Sequence, residues 1–182
     1  RKKLWGQGVD FIIGLNTGCS STLPNKKMTV DKHRDLIKQL ISQFPRSRIV
    51  LLGGGIEDKI RNQQMGDGFS VIQSSTDNGI RDGLCSVASC DVIISGDSLG
   101  MHMAIALKKK VIAWFGPTCA QEIDFFDSGW VVKSPVSCGP CWKKTCQQSP
   151  LCYDVVPLDK MIEAVRSAMK NPSFREGSDK PA

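Results

Sequence analysis

One short turn, residues 95–102 (SGDSLGMH), carries the side chains with the clearest chemical potential. It joins an apolar strand-like run to an Ala-rich helical run, and the free N–H groups at such a helix start bind phosphate. Ser98 would add a hydroxyl donor, and Gly100 would let a ligand approach the backbone. Asp97 is acidic and suits the hydroxyls of a sugar better than a phosphate. The same residue types also cap ordinary helices, so the turn alone leaves both interpretations open.

Two further loops carry groups that suit a nucleotide. Residues 16–27 (NTGCSSTLPNKK) combine hydroxyls with two lysines, which are suitable partners for a diphosphate. Residues 53–57 (GGGIE) follow an apolar run and would bring the Glu57 carboxylate to a ribose or an adenine edge. Neither loop matches a dinucleotide-binding fingerprint or a Walker motif, so each is a weak signal by itself.

Eight cysteines fall into two groups. Four lie among apolar segments, where we expect small buried hydrophobes: Cys19, Cys85, Cys90 and Cys119. The others crowd into a basic segment, residues 137–153, which we call the cysteine-rich loop: Cys138, Cys141, Cys146 and Cys152. Their spacing is compatible with a structural zinc site, with a disulfide pair or with four free thiols.

Strand-like and helix-like segments alternate along the chain. Strands are predicted at residues 10–15, 48–52, 69–72, 91–95 and 110–115. Helices are predicted at residues 30–44, 57–65, 80–89, 99–107 and 158–169, the first with Thr29 as its N-cap and Pro45 as its stop. Continuous apolar strands separated by helices predict an α/β fold, a Rossmann-like doubly wound parallel sheet. Ligands of such sheets bind where strands end and helices begin, which is where all three loops fall.

Length and composition set the outer limits. The chain has 182 residues, 41% of them hydrophobic, and a net charge of +6. Disorder and a membrane-spanning helix are both disfavoured, because apolar content is ordinary and the apolar runs are strand-length. We expect one α/β domain over residues 1–170, including the cysteine-rich loop, and a polar tail over residues 171–182. No leader is visible and the first residue is not Met, so we expect part of a longer protein.

The turn after the fourth predicted strand supports a specific resemblance. Residues 96–107 (GDSLGMHMAIAL), followed by residues 115–118 (FGPT), resemble the C-terminal domain of glycosyltransferase family 9, the ADP-heptose:lipopolysaccharide heptosyltransferases. The likeness runs from Ile12 to about Met169. Leu99 stands where the family usually has Gly, and Gly100 follows one place later. The resemblance implies the C-terminal half of a GT-B glycosyltransferase, which holds the nucleotide-sugar donor.

The resemblance also assigns roles to individual positions. Ser21 and Thr22 fall where hydroxyl residues contact phosphate, and Lys26 falls on the phosphate-binding lysine. Glu57 matches the carboxylate that recognises the nucleoside, and Asp97 would contact the sugar. The remaining assignments are the amides of Ser98, Leu99 and Gly100 for the diphosphate, and His102, one turn into the helix, as a ligand or a packing residue.

The implied activity is inverting sugar transfer from an ADP-sugar, with this chain stabilising the departing diphosphate. The family's catalytic carboxylate lies in its N-terminal acceptor domain, so no catalytic residue is assigned here and the chain alone is expected to be inactive. No cofactor is required for catalysis. The implied partners are the missing acceptor domain and an anionic lipid-linked acceptor of the lipopolysaccharide core. The implied location is the cytoplasm, peripheral to the inner membrane.

Two alternatives remain open. Cys138 and Cys141 form a CGPC sequence, as in a thiol–disulfide oxidoreductase, although it lies late in the chain in a Pro-, Lys- and Cys-rich segment. A zinc-stabilised nucleic-acid-binding module would use residues 108–110, Lys143 and Lys144. The sequence lacks the interleaved aromatics of a single-strand binder, so we expect no nucleic-acid partner.

Overall fold

Six parallel strands form the sheet in this computed structural model, which describes residues 8–170. Their spatial order is β3-β2-β1-β4-β5-β6. The strands are β1 (Phe11–Asn16), β2 (Ser47–Leu52), β3 (Ile72–Gln73), β4 (Val92–Gly96), β5 (Lys110–Phe115) and β6 (Gly129–Lys133). The longer helices are α1 (Val30–Gln43), α2 (Gly55–Gly66), α3 (Gly79–Ser89), α4 (Leu99–Ala106) and α5 (Leu158–Lys170). The predicted Rossmann-like fold is confirmed.

Two apolar cores, one on each face of the sheet, confirm the doubly wound arrangement. Ile13 and Leu15 of β1 point to the face covered by α1 and α5. Ile12, one residue before Ile13, points to the opposite face, which α3 and α4 cover. This alternation follows from the two-residue period of a strand, and burial on both faces explains the continuous apolar runs.

Helix α1 shows how local sequence sets the boundaries. The Thr29 hydroxyl accepts a hydrogen bond from the Lys32 N–H at 3.2 Å, which satisfies one of the orphan donors at the helix start. Leu36 and Leu40, one turn apart, are fully buried against the sheet. The helix ends at Gln43, two residues before Pro45, as predicted.

The prediction was wrong at both edges of the sheet. The strand predicted at residues 69–72 is reduced to β3, which begins at Ile72. Phe69 instead packs against the core and holds the Arg34 guanidinium over its ring at 4.8 Å, so its burial comes from side-chain packing. Strand β6 was not predicted, because Val132 is its only buried residue and an edge strand carries a weak apolar pattern.

The predicted domain boundaries fall partly outside the described residues. The polar tail predicted at residues 171–182 lies outside them, so it stays a prediction. Within residues 8–170, no helix combines the length and the apolar character that crossing a bilayer requires.

Candidate functional site

A cleft of about 440 Å³ opens at the carboxyl ends of β1, β2 and β4. Three segments line it, each just after a strand: residues 53–55, residues 74–76 and residues 98–100. Asn16 and Cys19 line it from the end of β1. Open α/β sheets bind ligands at the carboxyl ends of their strands. Three of the predicted residues lie here: Ser98, Leu99 and Gly100.

The start of α4 forms one wall of the cleft. Ser98 has the extended backbone of an N-cap residue, but its hydroxyl makes no capping hydrogen bond within the helix. The N–H groups of Leu99 and Gly100 belong to the first turn and have no intrahelical acceptor. Together with the helix dipole, they make this wall attractive to an anion.

Asn16 connects the end of β1 to that wall and was missed by the sequence interpretation. Its Nδ2 lies 2.9 Å from Ser98 Oγ and 3.1 Å from Ser95 Oγ, within donor range of both hydroxyls. A Cβ built on Gly100 would lie 2.5 Å from Asn16 Oδ1, so only glycine fits at this position without a shift. Asn16 therefore fixes where the first turn of α4 lies relative to the sheet.

Three predicted residues form a charged cluster beside the cleft. Lys26 Nζ lies 3.5 Å from Asp97 Oδ2, and His102 Nε2 lies 3.7 Å from Asp97 Oδ1. Asp97 and Lys26 are largely buried, whereas His102 is about half exposed. Lys26 and Asp97 come from distant parts of the chain, so their contact is a result of the fold and not of local sequence.

The other predicted residues lie further out. Ser21 and Thr22 are exposed, and Thr22 Oγ1 bonds to Ser20 Oγ at 3.0 Å within the same loop. Glu57 is exposed on the first turn of α2 and is not among the residues that line the cleft.

The carboxylate that does line the cleft is Asp58, which the sequence interpretation missed. It is buried and accepts a hydrogen bond from the Gly54 N–H at 2.9 Å. Gly18 lies directly against its carboxyl group, where any larger residue would collide. Asp58 therefore holds the loop after β2 and the loop after β1 together.

The cysteines expected to be buried hydrophobes are mostly not buried. Cys90 is in the core, but Cys85 is exposed and Cys19 and Cys119 are half-buried, so the expectation was wrong for those three. Partial burial raises the pKa of the Cys19 thiol, against the opposing charges of Lys27 and Lys26. Cys19 lies in the cleft wall, which explains why it is accessible.

The four thiols of the cysteine-rich loop are free and near one another. Burial, followed by the neighbouring thiols of Cys146, Cys141 and Cys138, raises the pKa of Cys152 to about 11. Even so, no group of three or more His, Cys, Asp or Glu side chains within residues 8–170 is arranged to hold a metal ion. The zinc site stays a prediction, which metal analysis of the purified protein can test.

The cysteine-rich loop docks onto the loop after β1 and onto the turn after β5. Asn25 Nδ2 lies 3.0 Å from the Lys143 carbonyl and 3.2 Å from the Lys144 carbonyl. The N–H groups of Cys141 and Trp142 donate to the Pro117 carbonyl at 3.0 and 2.9 Å. The loop thereby supports the residue next to Lys26.

The two alternative interpretations gain little from the geometry. Residues 137–153 contain no helix or strand, whereas the thioredoxin motif opens a helix after a strand. Lys109 and Lys110 bind carbonyls at the ends of α3 and α5. They lie at the amino ends of the strands, whereas the cleft lies at the carboxyl ends. Lys143 and Lys144 lie on the cleft side, so these lysines do not form one basic patch.

Comparisons with known proteins agree on one family. The sequence model of glycosyltransferase family 9 (heptosyltransferase) matches residues 10–152. Lipooligosaccharide heptosyltransferase 2 of Campylobacter jejuni subsp. jejuni serotype O:2 is 33% identical over 92 residues, covering 48% of this chain and 29% of that protein.

Solved structures share the fold at low identity. E. coli ADP-heptose LPS heptosyltransferase II matches with a TM-score of 0.70 and 18% identity, covering 93% of this chain and 49% of that one. E. coli heptosyltransferase WaaC with ADP matches with a TM-score of 0.68 and 16% identity, covering 88% and 45%. The chain thus spans about half the length of these structures. The family match extends over most of the chain, and we conclude that this protein belongs to glycosyltransferase family 9.

Proposed function

We propose that this chain is the nucleotide-sugar-binding part of a heptosyltransferase-like glycosyltransferase, corresponding to the C-terminal half of a GT-B enzyme. One observation carries the proposal: Lys26, Asp97 and the start of α4 meet at the edge of a cleft of about 440 Å³. Two solved WaaC structures are described with ADP and with ADP-2-deoxy-2-fluoro heptose, which supports an ADP-sugar as the donor class.

The proposed donor lies along the cleft and past its edge. The nucleoside lies between residues 53–55 and residues 74–76, within the cleft. The diphosphate crosses the N–H groups of Leu99 and Gly100, where the helix dipole favours negative charge. The sugar then points out of the cleft towards Asp97, whose carboxylate accepts hydrogen bonds from hydroxyls.

Lys26 changes partner when the donor binds. Among residues 8–170, its ammonium pairs with the Asp97 carboxylate at 3.5 Å. A diphosphate carries more charge than a carboxylate and would draw the ammonium away. Asp97 is then released to accept hydrogen bonds from the sugar, with His102 still beside it.

The proposed chemistry is stabilisation of the leaving group. As the glycosidic bond to the diphosphate breaks, negative charge builds on the bridging oxygen. The α4 N–H groups and the Lys26 ammonium stabilise that charge. Inversion at the sugar also requires a base for the acceptor hydroxyl. We propose that a separate acceptor domain supplies that base, and that this chain alone binds donor without transferring it.

The acceptor side of the proposal follows the family. The acceptor would be a lipid-linked, anionic intermediate of lipopolysaccharide core synthesis, met at the cytoplasmic face of the inner membrane. The name of the Campylobacter relative, a lipooligosaccharide heptosyltransferase, supports that class of acceptor.

Calorimetric titration with ADP and with adenosine tests the proposal. The variants are Lys26→Ala and Asp97→Ala, and the control is Lys38→Ala, an exposed lysine on α1 away from the cleft. A charge-assisted hydrogen bond is worth about 1.5–3 kcal/mol, so we expect Lys26→Ala to weaken ADP binding by about tenfold or more. Adenosine binding and the control variant should change little. Absence of heat with millimolar ADP, or equal ADP affinity in Lys26→Ala, would refute the site.

A further inference from the structure

We propose that Arg61 is a positioning residue that fixes the donor loop, defined as residues 18–27. Its partly buried positive charge also favours an anionic ligand in the cleft next to that loop. Arg61 lies on α2, outside the residues that line the cleft. The inference rests on the proposed function, because it names what holds the loop that carries Lys26.

One guanidinium ties both ends of the donor loop. Arg61 Nε donates to the Thr17 carbonyl at 3.4 Å, directly before the loop. Its Nη2 donates to the Met28 carbonyl, directly after the loop. The two carbonyls bracket the whole segment, so a single side chain sets the distance between its ends. Fixing loop ends removes conformations that would otherwise oppose ligand binding.

Both anchor points are rigid. Thr17 is buried, and its hydroxyl lies 3.1 Å from the Leu52 carbonyl and 2.5 Å from Asn62 Oδ1. Met28 is also buried, packed in the core beneath α1. Arg61 therefore joins two fixed points, and Leu23 is the one buried hydrophobic side chain of the described loop between them.

The charge of Arg61 is not neutralised by an ion pair. Within residues 8–170, no carboxylate lies within salt-bridge distance of it, although the Asp58 carboxylate, three residues earlier on α2, acts on it through space. Its hydrogen bonds go to the Thr17 and Met28 carbonyls, and its Nη2 lies 3.3 Å from His33 Nδ1. Arginine stays protonated at neutral pH even when partly buried. Its field reaches Cys19 in the cleft wall: burial and the Asp58 carboxylate raise the pKa of that thiol, and the Arg61 charge lowers it, offsetting part of the effect of Asp58. For a diphosphate in the cleft, Arg61 therefore offsets part of the repulsion from the Asp58 carboxylate that lines it.

Two substitutions separate position from charge. Arg61→Met keeps the apolar stem and loses both the charge and the hydrogen bonds. Arg61→Lys keeps the charge but has no planar fork to reach two carbonyls at once. A core variant outside the residues that line the cleft, Ile112→Val in β5, serves as the control for general destabilisation.

The test combines ligand binding with a ligand-free measurement. Calorimetry should show that Arg61→Met loses about fivefold or more in ADP affinity, and that the ADP affinity of Arg61→Lys lies between that of Arg61→Met and the wild type. The affinity for adenosine should change less than about twofold in both variants. Hydrogen exchange of the free protein should show faster exchange at residues 18–27 in both variants, with β5 unchanged. Ile112→Val should show neither effect.

The outcomes are distinct. Equal losses for ADP and adenosine, or unchanged ADP affinity in Arg61→Met, would overturn the electrostatic role. Unchanged exchange at residues 18–27 would overturn the positioning role. Failure of the wild type to bind ADP would refute the proposed function and, with it, the role of the charge, while the exchange measurement still decides whether Arg61 fixes the loop.

Discussion

Buried His33 should make this protein less stable in acid. Its ring is buried on α1, with Nδ1 at 3.0 Å from the Thr29 carbonyl and 3.3 Å from the Arg61 guanidinium. Burial, and then the charge of Arg61, lower the pKa of His33 from 6.5 to about 4, against backbone hydrogen bonds that act in the other direction. No carboxylate forms an ion pair with His33 in the described part of the chain.

The sign and the size follow from proton linkage. The unfolded chain binds a proton at His33 below about pH 6.5, whereas the folded chain resists protonation until about pH 4. Stability is therefore complete above pH 6.5 and falls as the pH drops towards 4. At 1.36 kcal/mol per pKa unit, the difference corresponds to about 3 kcal/mol, a large part of a typical domain's stability.

Urea unfolding at about pH 7 and about pH 4.5 measures the effect. His33→Asn keeps a polar group near the Nδ1 position and cannot titrate, so it isolates the histidine from the carboxylates that also titrate in acid. We expect the wild type to lose about 2 kcal/mol more than His33→Asn between the two pH values. His102→Asn, at the only other histidine and an exposed one, should keep the wild-type slope. Equal losses in the wild type and His33→Asn would refute the reasoning.

Three further predictions concern the cleft. Gly100→Ala places a Cβ 2.5 Å from Asn16 Oδ1, so we expect a loss of about 1–3 kcal/mol in urea unfolding together with weaker ADP binding. Gly83→Ala, whose added Cβ meets no atom within 4 Å, is the control for stability and should not lower it, and a stable, ADP-binding Gly100→Ala would contradict the packing argument. Alkylation of Cys19, followed by peptide mass spectrometry, should slow when ADP is added, because this thiol lines the cleft; an unchanged rate would mean that ADP binds elsewhere. Asn25→Ala removes two hydrogen bonds to the cysteine-rich loop, so limited proteolysis should cut that loop faster and ADP affinity should fall; an unaltered digest would show that the contact does not hold the loop.

Most of the sheet could be predicted from the sequence, because its central strands are buried on both faces. Residues such as Ile93 and Ile112 stand in continuous apolar runs that only a covered parallel strand explains. The edges lacked that signal. Strand β3 is two residues long, and β6 alternates exposed and buried positions, so pairing with a neighbour defines both strands more than composition does.

The candidate site was predictable only where its residues are local in sequence. The turn at residues 98–100 follows directly from a strand that leads into a helix. Asn16 and Arg61 were missed because their partners lie far away in the chain; Asn16, for example, bonds to Ser98 across 82 positions. Asp58 bonds to the nearby Gly54 N–H, but its contact with Gly18 is visible only in the fold. A polar residue that ends an otherwise apolar strand, as Asn16 does, is the one sequence signal that pointed to such a role.

Backbone amide NMR with added ADP tests the central claim most directly. The account predicts the largest shift changes at Gly54, Leu99 and Gly100, which line the cleft, with saturation as ADP is raised to about millimolar concentration. Lys26→Ala should weaken the binding without moving the set of shifted amides. Shifts confined to the polar groove between α1 and α5, near Asp35 and Arg166, or no shifts at all, would contradict the claim that this cleft binds the donor nucleotide.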